Sequence, residues 1–325
     1  LKTVAFFSAK SGVGETTLVY HLAWMFQELG VRTVALDLDP QASLTASFVL
    51  REELERHWAS GDESSTVYNF VKPLLNGAGE EPNLQALEIA SHLALVPGEL
   101  ALGQLEDRLA ENWTRYLDDE PAALKGTSVF SRLAASSGRS RSADLVLMDL
   151  GPSLGALNRA ALLAADHLVM PLATSFNSIQ ALRSVGPILS RWRKEWEHRR
   201  PSGSRELFLP AGQMQSTGYV LLRHTAREDR WADLISPVYH HEILGEPEGA
   251  PLPDPDPHRL ASLKHYRSLM PLAQDARKPL FSLRAADGAI GSQAQAVQDC
   301  HRDFETLARR IAARVGVSIP SEERS

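Results

Sequence analysis

Two rhythms of hydrophobic and polar positions run through this chain. Short apolar runs recur at Thr3-Val4-Ala5-Phe6-Phe7, Val34-Ala35-Leu36, Leu93-Ala94-Leu95-Val96, Leu145-Val146-Leu147-Met148, Leu168-Val169-Met170 and Tyr219-Val220-Leu221-Leu222. They predict strands near 3–8, 33–38, 93–96, 145–149, 167–171 and 218–223. Between them, apolar residues fall at helical spacing: Leu18, Leu22, Met25, Phe26 and Leu29 early on, and Leu182, Val185, Leu189, Trp192 and Trp196 later. Alternating strand and helix predicts an α/β chain, a doubly wound and mostly parallel sheet.

Polar and proline-rich stretches interrupt that rhythm. We expect one domain over 1–317, with insertions near 51–66, 99–140, 198–214 and 245–258, and a polar tail at 318–325. The 51–66 stretch is charged and reads as helical. Two helices are expected within 99–140, around Leu102–Leu117 and Val129–Ala135. The 245–258 segment holds five prolines, so it can be neither helix nor central strand.

The first strand and the first helix enclose Lys10-Ser11-Gly12-Val13-Gly14-Glu15-Thr16-Thr17. Strand, glycine loop and helix form the setting in which backbone N–H groups turn inward onto phosphate oxygens. The helix N-terminus adds its partial positive charge. Thr16 stands where a Mg²⁺-ligating hydroxyl belongs, but Glu15 stands where the loop's lysine belongs.

This stretch resembles the deviant Walker motif of the ParA/MinD-type ATPases, K-G-G-V-G-K-T-T, departing at Ser11 and Glu15. Other segments resemble that family in order. They are Asp37-Leu38-Asp39-Pro40-Gln41 (switch I), Leu93–Gly98, Asp144–Pro152 (Walker B and switch II), Ala164–Pro171, Tyr219–Leu222, Lys278-Pro279-Leu280 and the closing helix around Phe304, Leu307 and Ile311. The likeness is closest to the ParA branch and implies a sheet of P-loop NTPase type with helical insertions. It also implies ATP and Mg²⁺ as cofactors. Ser11, Gly12, Val13, Gly14, Glu15, Thr16 and Thr17 would cradle the nucleotide. Thr16, Asp37 and Asp149 would surround the metal. Lys10 would act across a dimer and Asp39 would orient water. It implies a homodimer, or a heterodimer with a related ATPase, that meets DNA non-specifically and a stimulating partner protein. Arg223-His224-Thr225-Ala226-Arg227 is the expected adenine contact. A small-molecule kinase or ligase on the same scaffold would need a substrate pocket that the insertions do not reveal.

Glu15 sets the sequence against its own resemblance. At about 4 Å and an effective dielectric near 20, one unit-charge repulsion costs on the order of 4 kcal/mol, about three decades of affinity. Weak nucleotide binding and slow or absent turnover are therefore expected. Three readings are open: a naturally inactive paralogue serving as a binding or regulatory subunit, a deliberate Lys→Glu change, or Lys10 swinging in to replace the charge. Departures at Ser11 and Ser153 favour the first. Asp37, Asp39, Asp149 and Glu15 would crowd one pocket, which should attract Mg²⁺ or raise a carboxylate pKa.

Residues 181–200 carry Arg183, Arg191, Arg193, Lys194, Arg199 and Arg200 against Glu195 and Glu197. Such a helix is either a solvated basic face or a DNA phosphate contact, which Arg223, Arg227 and Arg230 could extend. The closing helix, with Arg309, Arg310 and Arg314 opposite its apolar residues, reads as docked on the sheet rather than lying on a membrane. His240-His241 has no companions at metal-ligand spacing and reads as loop or surface. The net charge of −6 does not favour global wrapping of nucleic acid. A single cysteine, Cys300, excludes an internal disulfide and an iron–sulfur branch of the family, and suits a reducing cytoplasm. No apolar stretch approaches the roughly 18 residues of a spanning helix.

Overall fold

The computed structural model describes residues 1–50, 52–55, 66–76, 81–117, 123, 126–199, 209–224 and 229–320. Eight strands form one sheet: β1 (Lys2–Phe6), β2 (Thr33–Asp37), β3 (Leu87–Ala90), β4 (Leu93–Val96), β5 (Leu145–Asp149), β6 (His167–Ala173), β7 (Gln215–His224) and β8 (Arg259–Lys264). Their order is β3-β4-β2-β5-β1-β6-β7-β8. Every neighbouring pair is parallel except β3 with β4.

Successive side chains of a strand point to opposite faces, and helices cover both. Ala5 and Phe7 enter one core with α3 (Val67–Leu75), α4 (Glu106–Leu117), α5 (Val129–Arg141), α6 (Ala156–Ala164), α7 (Phe176–Arg199) and α8 (Asp229–Tyr239). Val4 and Phe6 enter the other with α1 (Glu15–Glu28), α2 (Ser43–Phe48) and α10 (Ser292–Val315); α9 (Met270–Ala276) packs at its margin. On α1, Leu18, Leu22, Met25 and Phe26 are buried, so the helix exists to cover the sheet as much as to open at the glycine loop.

The six strands expected from apolar runs are present, with β6 and β7 longer than expected. Two strands, β3 and β8, have no counterpart in the sequence reading. Both are short, half-exposed edge strands without a continuous apolar run. Residues 245–258 contain neither helix nor strand, and the two helices expected within 99–140 are present, the first entered through a 3₁₀ turn at Leu100–Leu105. Most of 51–66 lies outside the described residues, although 52–55 are helical.

Candidate phosphate-binding site

Register places the site. Phe6 pairs with Asp149 across β1 and β5, and Asp37 pairs with Asp149 across β2 and β5. Two carboxylates and the start of the glycine loop therefore share the C-terminal edge of three central strands, where parallel α/β sheets hold ligands. Gly14 adopts φ 113°, which a side-chain-bearing residue rarely tolerates, and directly precedes α1. A cavity of about 370 Å³ runs along this edge, lined by Ser11, Gly12, Gly14, Glu15, Thr16 and Thr17 on one side and Asp39, Gln41, Ser43 and Leu150 on the other.

Glu15 is only 9% exposed. Its side chain curls back so that the Gly14 N–H donates to Oε2 at 3.1 Å, while Oε1 is buried with no hydrogen-bond partner. A carboxylate thus lies on the loop's own amide. Burial pushes its pKa up, against the pull of the loop N–H groups. The Thr16 hydroxyl donates to Asp149 Oδ2 at 2.8 Å, and Asp149 Oδ1 is buried without a partner. Asp149 is raised well above the usual carboxylate range, first by burial and next by the charge of Asp37. Asp37, Asp39 and Glu15 each push the Asp149 carboxyl in the same upward direction, as the sequence leads one to expect of carboxylates sharing one edge.

Asp37 has other work. Its Oδ2 accepts the Thr45 N–H at 2.8 Å and the Thr45 hydroxyl at 2.7 Å, and its Oδ1 accepts the Asp39 N–H at 3.3 Å. It anchors α2 and the loop before it, and burial lifts its pKa to about 6. These contacts engage both of its oxygens. Asp39 stands at the cavity mouth against Gly151, where a Cβ would come within 3.1 Å of the Asp39 carboxyl carbon. The loop after β5 is fixed from behind, since Asn158 Nδ2 donates to the carbonyls of Gly151 and Ser153. Lys10 extends away toward α7, its Nζ donating to Ser175 Oγ at 3.3 Å. It does not replace the missing positive charge at Glu15 in this arrangement.

The oxygen donors Thr16 and Asp149 suit Mg²⁺, and Asp149 Oδ1 is buried without a hydrogen-bond partner. The phosphate cradle fits a polyphosphate less well, because Glu15 already uses one of its amides. Beside it, a cavity of about 150 Å³ is lined by Gly14, Thr17, Leu222, Leu263, Tyr266 and Met270 among others. The sequence reading missed this apolar wall, which depends on β8 and the turn after it. Of the expected adenine contacts, 225–227 and the side chains of Arg223 and His224 lie outside the described residues.

Two further expectations change. Arg193 is turned inward: its Nη2 donates to the Met214 carbonyl at 2.9 Å and its Nε is buried. Burial depresses its pKa, and it is not part of an open basic surface. Arg183, Arg191 and Lys194 are exposed, Arg191 lying 3.9 Å from Glu195, while the side chain of Arg199 and all of Arg200 lie outside the described residues. His240 is not at the surface but 3% exposed. Its Nδ1 faces Glu246 Oε2 at 2.9 Å and its Nε2 faces Asp256 Oδ1 at 3.0 Å, holding both ends of the proline-rich loop.

A doubly wound parallel sheet with a glycine loop and a threonine–aspartate pair at its C-terminal edge has the architecture of the P-loop proteins. The family profile described as an AAA domain matches residues 1–199, and the chain belongs to that family, within the ParA/MinD-type P-loop ATPases. Protein IncC of Escherichia coli is 29% identical over 195 residues, which is 60% of this chain and 47% of that protein. The chain thus spans about half the length of that relative. A plasmid-partitioning protein ParA of Thermus thermophilus is 27% identical over 267 residues, covering 80% of this chain and 70% of the other. Protein DIP2308 from Corynebacterium diphtheriae has the same fold, with a TM-score of 0.71 at 20% identity over 97% of this chain and 99% of that one.

Proposed function

We propose that this chain is a partition-type P-loop protein that keeps the architecture of a nucleotide switch but works with little or no ATP turnover, as a binding or regulatory subunit. The observation that carries the reading is the Glu15 carboxylate resting on the Gly14 N–H. A polyphosphate arriving there must displace that carboxylate and then lie beside its charge, with no lysine to offset either cost. The apolar wall of Leu222, Leu263 and Tyr266 still offers a surface on which a base would pack. Plasmid partitioning in the relatives' names supports a role in DNA or cargo segregation.

A second reading, an ATP-driven dimerising switch weakened but not disabled, is favoured by the intact Thr16–Asp149 pair and by Asp39 at the cavity mouth. In that reading Thr16 and Asp149 would hold Mg²⁺ and Asp39 would orient water. Lys10 would act on the nucleotide of a second protomer.

Calorimetry of Mg-ATP binding to the native chain and to Glu15→Lys separates the two. Binding by Glu15→Lys that is about a thousandfold tighter is expected, with no heat from the native chain at micromolar concentrations. Equal affinity in the two proteins would overturn the proposal and leave the ATP-driven switch.

A further inference from the structure

We propose that Glu15 stands in for a nucleotide phosphate, resting on the Gly14 amide and offering its free oxygen to a divalent cation shared with Thr16 and Asp149, so that the chain binds Mg²⁺ with no nucleotide present. The inference rests on the reading that Glu15 keeps polyphosphate out of the loop.

Two buried oxygens without partners carry it. Glu15 Oε1 and Asp149 Oδ1 lie on side chains that are 9% and 0% exposed, and neither oxygen has a partner at hydrogen-bond geometry, although the Ser8 hydroxyl lies near enough to the Glu15 carboxyl to help its charged form. The other oxygen of each is fixed from behind, by the Gly14 N–H for Glu15 and by the Thr16 hydroxyl for Asp149. Each carboxylate therefore has one oxygen held and one without a partner. The charge of Glu15 acts on Asp149, so the two share one electrostatic environment. Buried carboxylates persist when they are paired, hydrogen-bonded or bound to a metal. Lys10, the cation of the loop, is drawn off to Ser175.

The donor set selects the cation. Mg²⁺ takes hard oxygen ligands, keeps several waters and is commonly held by one or two carboxylates. Glu15 and the Thr16 hydroxyl line the cavity of about 370 Å³, which can supply water, and Asp149 lies behind it on the Thr16 hydroxyl. Among the described residues no three His, Cys, Asp or Glu side chains form a preassembled metal cluster, which argues against the fuller ligand sets of Zn²⁺ or Ca²⁺. In the related motif the loop position is a lysine, which repels a cation; a glutamate there reverses the preference. The loop would then hold, from its own chain, the anion and metal that a nucleotide otherwise brings.

The test uses Mn²⁺ as an electron-paramagnetic-resonance probe on the full chain freed of nucleotide. One Mn²⁺ per chain, displaced by Mg²⁺, is expected. Glu15→Gln, nearly isosteric, should weaken it by about tenfold or more, and Asp149→Asn likewise. Glu246→Gln, which removes a carboxylate from the proline-rich loop, should leave it unchanged. Circular dichroism reports whether each variant is folded. Absence of bound Mn²⁺ in the native chain, or equal binding by folded Glu15→Gln, overturns the inference. Repeating the titration with ATP separates the two proposals. Mn²⁺ that binds only with ATP overturns both this inference and the reading beneath it. Mn²⁺ that binds under neither condition overturns this inference alone.

Discussion

One histidine shows how a buried side chain sets the pH range over which this fold holds. His21 lies on α1, four residues past Thr17, among Tyr20, Phe281 and Phe304. Its Nδ1–H donates to the Thr17 carbonyl at 2.7 Å, and its Nε2 accepts the Leu280 N–H at 3.0 Å. Both nitrogens are satisfied only in the neutral ring, and burial drops the pKa from 6.5 to about 4. Between those values the unfolded chain binds a proton that the folded chain refuses, so stability falls as pH falls. The contribution is complete above pH 6.5 and lost progressively toward pH 4, at most roughly 3 kcal/mol. Urea unfolding at pH 7 and pH 5 should show the native chain losing stability over that interval. His21→Gln should be less stable at pH 7 but lose less between the two values, and an equal loss in both proteins would refute the assignment. His240 works in the opposite sense. Its two carboxylate partners raise its pKa despite burial, so its contribution is present at low pH and fades as pH rises through the raised value.

At the scale of elements, α7 separates what a charge count suggests from what a helix can present. Leu182, Val185, Leu189, Trp192 and Trp196 are buried, so a residue such as Arg193, beside that stripe, is drawn under the helix to the Met214 carbonyl. If this helix meets DNA phosphates, Arg191 and Lys194 carry the contact and Arg193 does not. The Arg191→Ala/Lys194→Ala variant should bind DNA more weakly and flatten the dependence of log affinity on log salt by about two. Arg193→Ala should keep the salt slope while lowering thermal stability; a fall in slope with unchanged stability would place Arg193 on the DNA instead. The same division governs what was legible in the sequence. Central strands declare themselves, because burial on two faces demands unbroken apolar runs such as Leu145–Met148. Edge strands β3 and β8 are buried on part of one face and leave no such mark. The glycine loop and Thr16 are legible from motif spacing, and Asp149 only through the family resemblance of its strand. That Asp37 would hold Thr45, or that His240 would clasp Glu246 and Asp256, depends on how the short loops between them fold back, which spacing does not encode.

For the whole molecule, the crowded carboxylates bear on assembly. No described helix is long and apolar enough to cross a membrane, and the chain carries a net charge of −6. Asp39 and Gln41 stand at the mouth of the cavity on one edge of the sheet, with Glu15 in its lining and Asp149 buried behind, a carboxylate-rich edge that in the proposed reading has no bound triphosphate. Two protomers meeting through that edge would set like charges against each other, a cost that falls with salt and with any cation held between them. A nucleotide with its Mg²⁺ could bridge such a pair only if the loop accepts phosphate. Association of the native chain should therefore be insensitive to ATP, and any association through this face should strengthen with Mg²⁺ alone. Glu15→Lys should reverse the dependence, remaining monomeric with Mg²⁺ alone and dimerising when ATP is added. Sedimentation velocity on both proteins, with Mg²⁺, with ATP and with the two together, reads the difference directly. An ATP-dependent shift in the native chain would show that the loop accepts triphosphate despite Glu15, and the carboxylate on the Gly14 amide would then be a resting position that the nucleotide displaces.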